Sequence, residues 1–206
     1  MAPPIKVLTM QIGRIFSLCK SIGAGEGKRV EVWLVNGKEY EILCLLGKGK
    51  GGYSYLARRN GAQVVVKQIH HEPCAYYTFG DKIAAERNDY RRLTQAGIRM
   101  PRLIEIDEGA ERIVKEYIEG STVYDLVRWD QDVTPYLAQV RQMAAQARQA
   151  GLNIDYFPTN FVARAGLLYY VDYECNDYMA EWNFDNWGVQ YWSKTPAFLQ
   201  YDAERP

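Results

Sequence analysis

The first half of the chain alternates apolar and polar residues, which is the pattern of half-buried β-strands. The runs with this pattern are residues 30–35, 39–46, 53–57 and 63–67. Asn36-Gly37 separates the first two runs, and Asn60-Gly61 separates the last two. Both central positions of a two-residue hairpin turn need positive φ, so an Asn-Gly pair between alternating runs predicts a hairpin at each place.

Helical spacing of apolar residues appears twice. A first helix is predicted over residues 80–96, with Gly97 ending it. A second helix is predicted to begin at Thr134, interpreted as an N-cap followed by Pro135 at the first helical position, and to end at Gly151. The apolar stripe of this second helix consists of Leu137, Val140, Met143, Ala144 and Ala147.

Further strands are expected between and after the helices. Two of them are predicted at residues 101–108 and 112–118. Another hairpin is centred on Ala165-Gly166, with strands at residues 161–164 and 167–173. The first half of the chain is therefore expected to be rich in strands with one main helix, and the second half to be more helical.

Composition and charge narrow the class of protein. Hydrophobic residues make up 48% of the chain, which is enough for a buried core. The 25 basic and 25 acidic residues give a net charge of +0, which favours neither a nucleic-acid nor a membrane-surface partner. No apolar run approaches the roughly 20 residues of a membrane helix, and no signal-peptide pattern is visible. A cytoplasmic location is therefore expected.

The cysteines give no motif. They are far apart and form no Cys-x-x-Cys pair, which predicts reduced, mostly buried thiols. Their positions are Cys19, Cys44, Cys74 and Cys175. His70 and His71 precede Cys74 at a spacing that could bind a metal, but a fourth ligand is not apparent, so this segment is interpreted as a surface loop.

A glycine run and a lysine carry the first candidate chemistry. Gly47, Gly49 and Gly52 lie between two predicted strands, where backbone N–H groups can approach phosphates closely. An ordinary glycine hairpin is the alternative. If Asn60-Gly61 forms a two-residue turn, the numbers of two residues that face each other across the hairpin add up to 121. Ser54 then faces Lys67, which places the lysine beside the glycines. Lys67 is then interpreted as a phosphate ligand, with a solvated strand lysine as the alternative.

A glutamate lies on the apolar stripe of the first predicted helix. Ile83, Glu86, Tyr90 and Leu93 share one helical face. A carboxylate is costly to bury unpaired, and an ion pair with Lys67 would resolve this while holding the lysine in place. A glutamate at the edge of the stripe, reaching water, is the alternative.

An aspartate and an asparagine flank a turn before the last hairpin. Asp155 and Asn160 have the spacing of a loop in which a carboxylate takes a hydroxyl proton and an amide oxygen holds a cation. Asn160 and Asp172 are each six positions from Gly166, so a hairpin in register would bring them together as oxygen ligands for Mg²⁺. A surface aspartate and a turn asparagine are the alternative.

Taken in order over residues 45–192, these motifs resemble those of the protein-kinase-like superfamily. The matching segments are Gly47-x-Gly49-x-x-Gly52, Val64-Val65-Val66-Lys67, Glu86, the hinge-like residues 114–120, the loop 155–160 and Asp172. The resemblance implies an α+β, two-lobed kinase-like fold. It places an N-terminal segment and an antiparallel-sheet N-lobe in residues 1–118, and the hinge exit and a truncated, mainly helical C-lobe in residues 119–206.

The resemblance also implies roles for individual residues. Asp155 would be the catalytic base and Lys67 the ligand of the ATP phosphates, while Asn160 and Asp172 would hold Mg²⁺. Adenine would be held by the backbone of the hinge. The implied nucleotide-binding residues are Gly47, Gly49, Gly52, Ser54, Val65, Lys67, Glu86, Glu116, Ile118 and Val162.

Several positions depart from the pattern of that superfamily. Asn153 and Ile154 stand where histidine and arginine are usual, and Phe157 replaces a common lysine or histidine. Lys115 occupies the usually apolar gatekeeper position, and Glu174 replaces the glycine of Asp-Phe-Gly. Regulation by a phosphorylated activation loop is therefore not expected.

The segment after Asp172 is short and has no Ala-Pro-Glu motif, so the chain is similar to minimal kinases of the RIO and lipopolysaccharide-kinase types. Asp172-Tyr173-Glu174 with Asp185 downstream also resembles choline-kinase and aminoglycoside-phosphotransferase enzymes, where the later aspartate implies a brace for the catalytic loop. The expectation is an ATP- and Mg²⁺-dependent kinase acting on a hydroxyl of protein Ser/Thr. A small-alcohol kinase and a nucleotide-binding pseudokinase that serves as an interaction module are the alternatives.

Overall fold

The computed structural model of this chain describes residues 30–49, 51–72 and 80–204. Its fold is mixed α and β, with a curled antiparallel sheet and a few helices. This agrees with the α+β class expected from the sequence. None of the helices in the described part of the chain has the length and apolar character needed to span a bilayer.

The chain is divided into two compact units. The first contains the described residues up to Gly80 together with Ile106–Val114, and the second contains Asp81–Glu105 together with the residues from Lys115 onwards. The boundary expected between residues 118 and 119 differs from this division, because the helix that follows Asp81 groups with the second unit.

The main sheet has the strand order β1-β2-β3-β4-β6-β5. Its strands are β1 (Glu31–Val35), β2 (Lys38–Lys48), β3 (Gly52–Arg59), β4 (Ala62–Ile69), β5 (Leu103–Asp107) and β6 (Arg112–Glu116). The pairing of β2 with β3 shifts register twice, between Ile42 and Cys44 and between Leu45 and Gly47. Such irregularities bend a strand and increase its twist, which accounts for the curl of the sheet.

Both predicted Asn-Gly hairpins are confirmed. Asn36 and Gly37 have φ of 48° and 74°, and Asn60 and Gly61 have φ of 50° and 78°. The strands on either side of each turn pair directly from the residues next to it. These turns form where they were expected because positive φ at both central positions is a local requirement that asparagine and glycine meet.

The cysteines do not all follow the expectation. Cys175 is a buried free thiol, as predicted, but Cys44 is disulfide-bonded. The expectation of reduced thiols is therefore wrong for Cys44. Because disulfides persist mainly in oxidising compartments, the cysteines do not support a cytoplasmic location, which stays a prediction.

Helix α1 spans Lys82–Gln95 and confirms the helix predicted over residues 80–96. The Asp81 carboxylate accepts a hydrogen bond from the Ala84 N–H at 2.9 Å, which caps the first turn. At the other end Gly97 has φ of 78°, the left-handed conformation in which glycine commonly follows a helix.

Two further helices lie in the second unit before its hairpin. Helix α2 (Val123–Arg128) is capped by Thr122 and was not expected from the sequence. Helix α3 (Thr134–Gln149) confirms the second predicted helix, but Thr134 is not its N-cap. Val133 holds that position, and the Asp132 carboxylate accepts from the Thr134 N–H at 2.8 Å instead.

Short strands complete the second unit. They are β7 (Ser121–Thr122), β8 (Leu152–Ile154), β9 (Phe161–Arg164), β10 (Leu167–Tyr170) and β11 (Cys175–Asp177). The expected hairpin forms between β9 and β10, with β7 on the other side of β9, while β8 pairs with β11. A final helix, α4, spans Pro196–Glu204.

Each unit has its own apolar core. The core of the first unit consists of Val35, Tyr40, Ala57, Val64, Val66 and Val114. The larger core of the second unit includes Val140, Met143 and Ala147 from the stripe of α3, and Phe184, Trp192 and Phe198 from the aromatic tail. The tail aromatics therefore fill the core of this unit.

Candidate functional site

The described glycines of the run lie at the end of β2, at the start of β3 and between these two strands. Gly47 lies within β2 and faces Ser54, and beyond it the Gly49 N–H donates to the Gly52 carbonyl at 2.9 Å. A ring nitrogen of His70 lies 3.0 Å from the Gly49 carbonyl oxygen, so a histidine side chain supports the turn from the end of β4. The segment of His70, His71 and Cys74 was interpreted as a surface loop and not as a metal cluster, and Cys74 lies outside the described residues.

Gly52 is required by the packing of the sheet. A Cβ at this position would lie 2.4 Å from the carbonyl oxygen of Gln68 on the neighbouring strand. Real Cβ atoms essentially never come closer than 3.0 Å to another heavy atom, and a paired strand carbonyl cannot rotate away. Strand packing alone therefore requires glycine at position 52, whether or not a phosphate binds there.

Lys67 lies opposite Ser54 in the β3–β4 ladder, as predicted from the hairpin. Its side chain is only 6% exposed, which excludes the alternative of a solvated strand lysine. Val64 and Val66 point into the core of the first unit, so Lys67 and Val65 share the opposite face of β4. Both residues are nevertheless buried, so this lysine is not an ordinary surface charge.

Glu86 is half-buried on α1, between the buried residues Ile83 and Leu93. Burial raises the pKa of Tyr173, and the charge of Glu86 is among those that raise it further. Glu86 therefore lies near Tyr173, the residue that follows Asp172. The expected ion pair between Glu86 and Lys67 would join residues of different units and stays a prediction.

The loop after β8 is held by its own polar groups. The Asp155 carboxylate accepts from the Phe157 N–H at 3.1 Å, and the Asn160 side-chain amide donates to the Asp155 carbonyl at 3.4 Å. Pro158–Asn160 forms one turn of 3₁₀ helix, and Asn160 is 4% exposed. Because its amide nitrogen is directed to the loop backbone, the amide oxygen is the atom of Asn160 that could hold a cation.

Asn160 and Asp172 both lie at the open end of the β9–β10 hairpin, but they do not face each other. Ala165 and Gly166 have φ of 49° and 77°, so they are the two central residues of the turn. The numbers of residues that face each other across this hairpin therefore add up to 331. The expected register, centred on Gly166, is therefore wrong by one position. The Val171 N–H donates to the Asn160 carbonyl at 2.9 Å, so Asp172 lies next to the residue facing Asn160.

Tyr170 connects the segments that carry these residues. Its hydroxyl accepts from the Asp155 N–H at 3.3 Å and donates to the Glu174 carbonyl at 2.8 Å. Burial raises its pKa well above 10, and the charges of Asp172, Asp155 and Glu174 raise it further. The sequence reasoning missed this residue. The alternation of β10, in which Leu168 and Tyr170 are both buried, could have marked it as pointing inward.

Lys115 is buried beside the same segment. Its ammonium group donates to the Val171 carbonyl at 2.6 Å and lies 4.7 Å from the centre of the Tyr173 ring. Tyr173 in turn donates through its hydroxyl to the Pro101 carbonyl at 2.7 Å and packs against Tyr90 of α1. The lysine at the position expected for a gatekeeper thus holds the backbone immediately before Asp172.

The segment with the expected hinge residues leaves the end of β6. The Glu116 N–H donates to the Arg102 carbonyl at 2.9 Å, so this N–H already has a backbone partner. Ile118 is buried in this segment, and Val162 is buried on β9. Gly120 is needed here, since a Cβ on it would lie 2.1 Å from the Ala163 carbonyl oxygen.

The aromatic tail supports the loop of Asp155. The Trp192 indole N–H donates to the Tyr156 carbonyl at 2.8 Å, and Gly188 packs directly against the Tyr156 side chain. Asp185, for which the resemblance implies a bracing role, makes its ion pair away from this loop. It is 64% exposed and its ion pair is to Arg141 of α3, because the preceding Phe184 takes the position in the core.

The residues expected to hold Mg²⁺ fit that ion in part. Across residues 30–49, 51–72 and 80–204, no group of three or more His, Cys, Asp or Glu side chains is placed to hold a metal. Magnesium, however, is commonly held by one or two protein oxygens together with substrate phosphates and water. Asn160 and Asp172 offer one amide oxygen and one carboxylate, donors of the type that suits a metal arriving with a nucleotide, and their joint binding of Mg²⁺ stays a prediction.

Comparisons of the sequence with models of known protein families and with curated proteins give no match.

Proposed function

We propose that this chain is an ATP-dependent phosphotransferase with a two-lobed, kinase-like fold, which moves the γ-phosphoryl group of Mg-ATP to a hydroxyl acceptor. The observation that carries the proposal is the closeness, within the second unit, of the segments that contain Asp155, Asn160 and Asp172. The Asn160 side chain bonds to the Asp155 carbonyl, and the Asn160 carbonyl accepts from the residue before Asp172, which supports a joint role for the three residues. The buried Lys67 beside the glycine turn adds to it.

Each residue would have a defined task. Lys67 and the backbone of the glycine turn would hold the phosphates of the nucleotide, and the Asn160 amide oxygen and the Asp172 carboxylate would hold Mg²⁺. When bound, the metal neutralises charge that develops on the phosphoryl group. Asp155, whose carboxylate is held by the Phe157 N–H, would orient the acceptor hydroxyl and take its proton.

The nucleotide base would be recognised by the segment after β6. The Glu116 carbonyl and the Ile118 N–H would hydrogen-bond adenine, while Val65 and Val162 would contact its faces. The acceptor proposed from the sequence is a protein serine or threonine, with a small alcohol as the alternative. The same assay separates the two, because the labelled product identifies the acceptor.

The test is transfer of label from γ-labelled ATP in the presence of Mg²⁺. Wild type would be compared with Asp155→Asn and Asp172→Asn, using dephosphorylated casein as a generic protein acceptor and then a panel of small alcohols. Loss of a general base typically slows a reaction by about 10²- to 10⁴-fold, so we expect at least a hundredfold loss in Asp155→Asn.

Asp185→Asn is the matched control, since it neutralises an exposed carboxylate that is paired with Arg141 on α3. This control should retain the wild-type rate. Transfer that survives unchanged in Asp155→Asn would overturn the catalytic assignment.

One observation favours a second candidate, a nucleotide-binding domain without transfer activity. Phe157, which stands where kinases often have a phosphate-binding lysine or histidine, is buried and packs against Trp187, Tyr191 and Tyr201. That position therefore serves the core and offers no charge to a phosphate. A rise in melting temperature with Mg-ATP, combined with no transfer to any acceptor, would support this candidate.

A further inference from the structure

Tyr170 is the last residue of β10 and lies inside the core of the second unit. It faces Phe161 across the ladder, and the two rings lie 5.3 Å apart. Its side chain is 0% exposed. In a purely apolar role the ring alone would suffice, so the hydroxyl is the informative part of this residue.

The hydroxyl makes two hydrogen bonds to backbone groups of different segments. It accepts from the Asp155 N–H, at the start of the loop before β9, and donates to the Glu174 carbonyl, two residues beyond Asp172. A single oxygen atom thus ties the segment with the candidate base to the segment with the candidate metal ligand.

Phenylalanine would fill the same space but could not replace these bonds. The Asp155 N–H and the Glu174 carbonyl would lose their partner, and buried backbone groups are nearly always paired in native proteins. The two segments would then be free to shift relative to each other while the core around the ring stays packed. The hydroxyl is therefore suited to fixing a distance.

We propose that Tyr170 is a positioning residue for phosphoryl transfer: its hydroxyl sets the position of Asp155 relative to the segment of Asp172 through the two backbone hydrogen bonds. This inference rests on the proposed function. Small displacements of reacting groups are costly, since an error of about 1 Å can slow an enzyme by roughly a hundredfold.

The test compares Tyr170→Phe with Tyr124→Phe. Tyr124 is also buried, and its hydroxyl donates to the Asp202 carboxylate in α4, so the control also removes one hydroxyl from the same core. We expect Tyr170→Phe to lower kcat by about ten- to a hundredfold with the KM for ATP within about twofold of wild type. Tyr124→Phe should keep the wild-type kcat.

Hydrogen exchange at the Asp155 amide gives a second readout that needs no activity. In Tyr170→Phe this amide loses its acceptor, so its exchange should become at least about tenfold faster, whereas Tyr124→Phe should leave it unchanged. Unchanged exchange in Tyr170→Phe, or a kcat equal to that of Tyr124→Phe, would overturn the inference.

The two proposals fail in different ways. If wild type transfers no phosphoryl group to any acceptor, the proposed function fails and the catalytic part of this inference fails with it. If wild type is active and Tyr170→Phe is equally active, the proposed function stands and the role of Tyr170 does not.

Discussion

Gly120 lies immediately before β7, where the chain passes close to β9. A Cβ on Gly120 would lie 2.1 Å from the Ala163 carbonyl oxygen and 3.0 Å from its carbonyl carbon. Because the obstructing atom belongs to the backbone of β9, no side-chain rotation can relieve the contact. Restoring a separation of 3.0 Å from 2.1 Å requires the two segments to move apart by about 0.9 Å.

We expect Gly120→Ala to destabilise the protein substantially. Overpacking a well-packed site costs about 1–3 kcal/mol, and separating β7 from β9 also weakens a hydrogen bond worth about 1 kcal/mol. The free energy of unfolding should therefore fall by about 2–4 kcal/mol. For a chain of this size that corresponds to a decrease in Tm of roughly 4–16 °C.

The measurement is urea unfolding followed by tryptophan fluorescence, with the change in stability taken from the midpoint at a constant m-value. Gly80→Ala is the matched control, because a Cβ on Gly80 meets nothing within 4 Å. A Gly120→Ala protein whose stability lies within about 0.5 kcal/mol of the control would show that β7 and β9 are not packed as described.

Two more predictions concern buried polar groups. Lys115→Met keeps most of the side-chain volume but leaves the Val171 carbonyl without its donor, so urea unfolding should show a loss of about 1–3 kcal/mol, and an unchanged stability would contradict this hydrogen bond. Burial, followed by the charge of Asp89, raises the pKa of Cys175 to about 12. Its thiol should therefore react with iodoacetamide at pH 8 far more slowly in the native protein than in denaturant, and rapid native labelling of the Cys175 peptide would refute this. Since the folded pKa exceeds the unfolded value of about 8.5, stability from this buried thiol is complete below that pH and is lost as the pH rises towards 12.

The hairpins and helices were predictable because their signals are local. Asn60-Gly61 sets a two-residue turn through its own backbone preferences, and that turn alone determines that Lys67 faces Ser54. In the same way Gly97 and Gly151 end α1 and α3 by adopting positive φ. The start of α3 depends on which neighbouring side chain bonds to the backbone, and there the predicted N-cap, Thr134, is one residue away from the observed N-cap, Val133.

The candidate site was predictable in its parts but not in its connections. The spacing of Asp155 and Asn160 marked the loop, and the hairpin marked Asp172, yet the register was one position off because the turn uses both Ala165 and Gly166. The sequence also could not show that Asp185 is exposed and forms an ion pair with Arg141 of α3.

By itself the sequence determined the turns, the main helices, the pairing of Lys67 with Ser54 and the α+β class, because each follows from backbone preferences and periodicity over a few residues. Only the tertiary structure showed that Lys67 and Lys115 are buried, that Gly52 and Gly120 are needed for close strand contact, and that the Tyr170 hydroxyl ties two distant segments together. Those properties depend on which atoms of remote segments come within a few ångströms of one another. Such contacts are decided by the packing of the whole core and leave no local pattern in the chain.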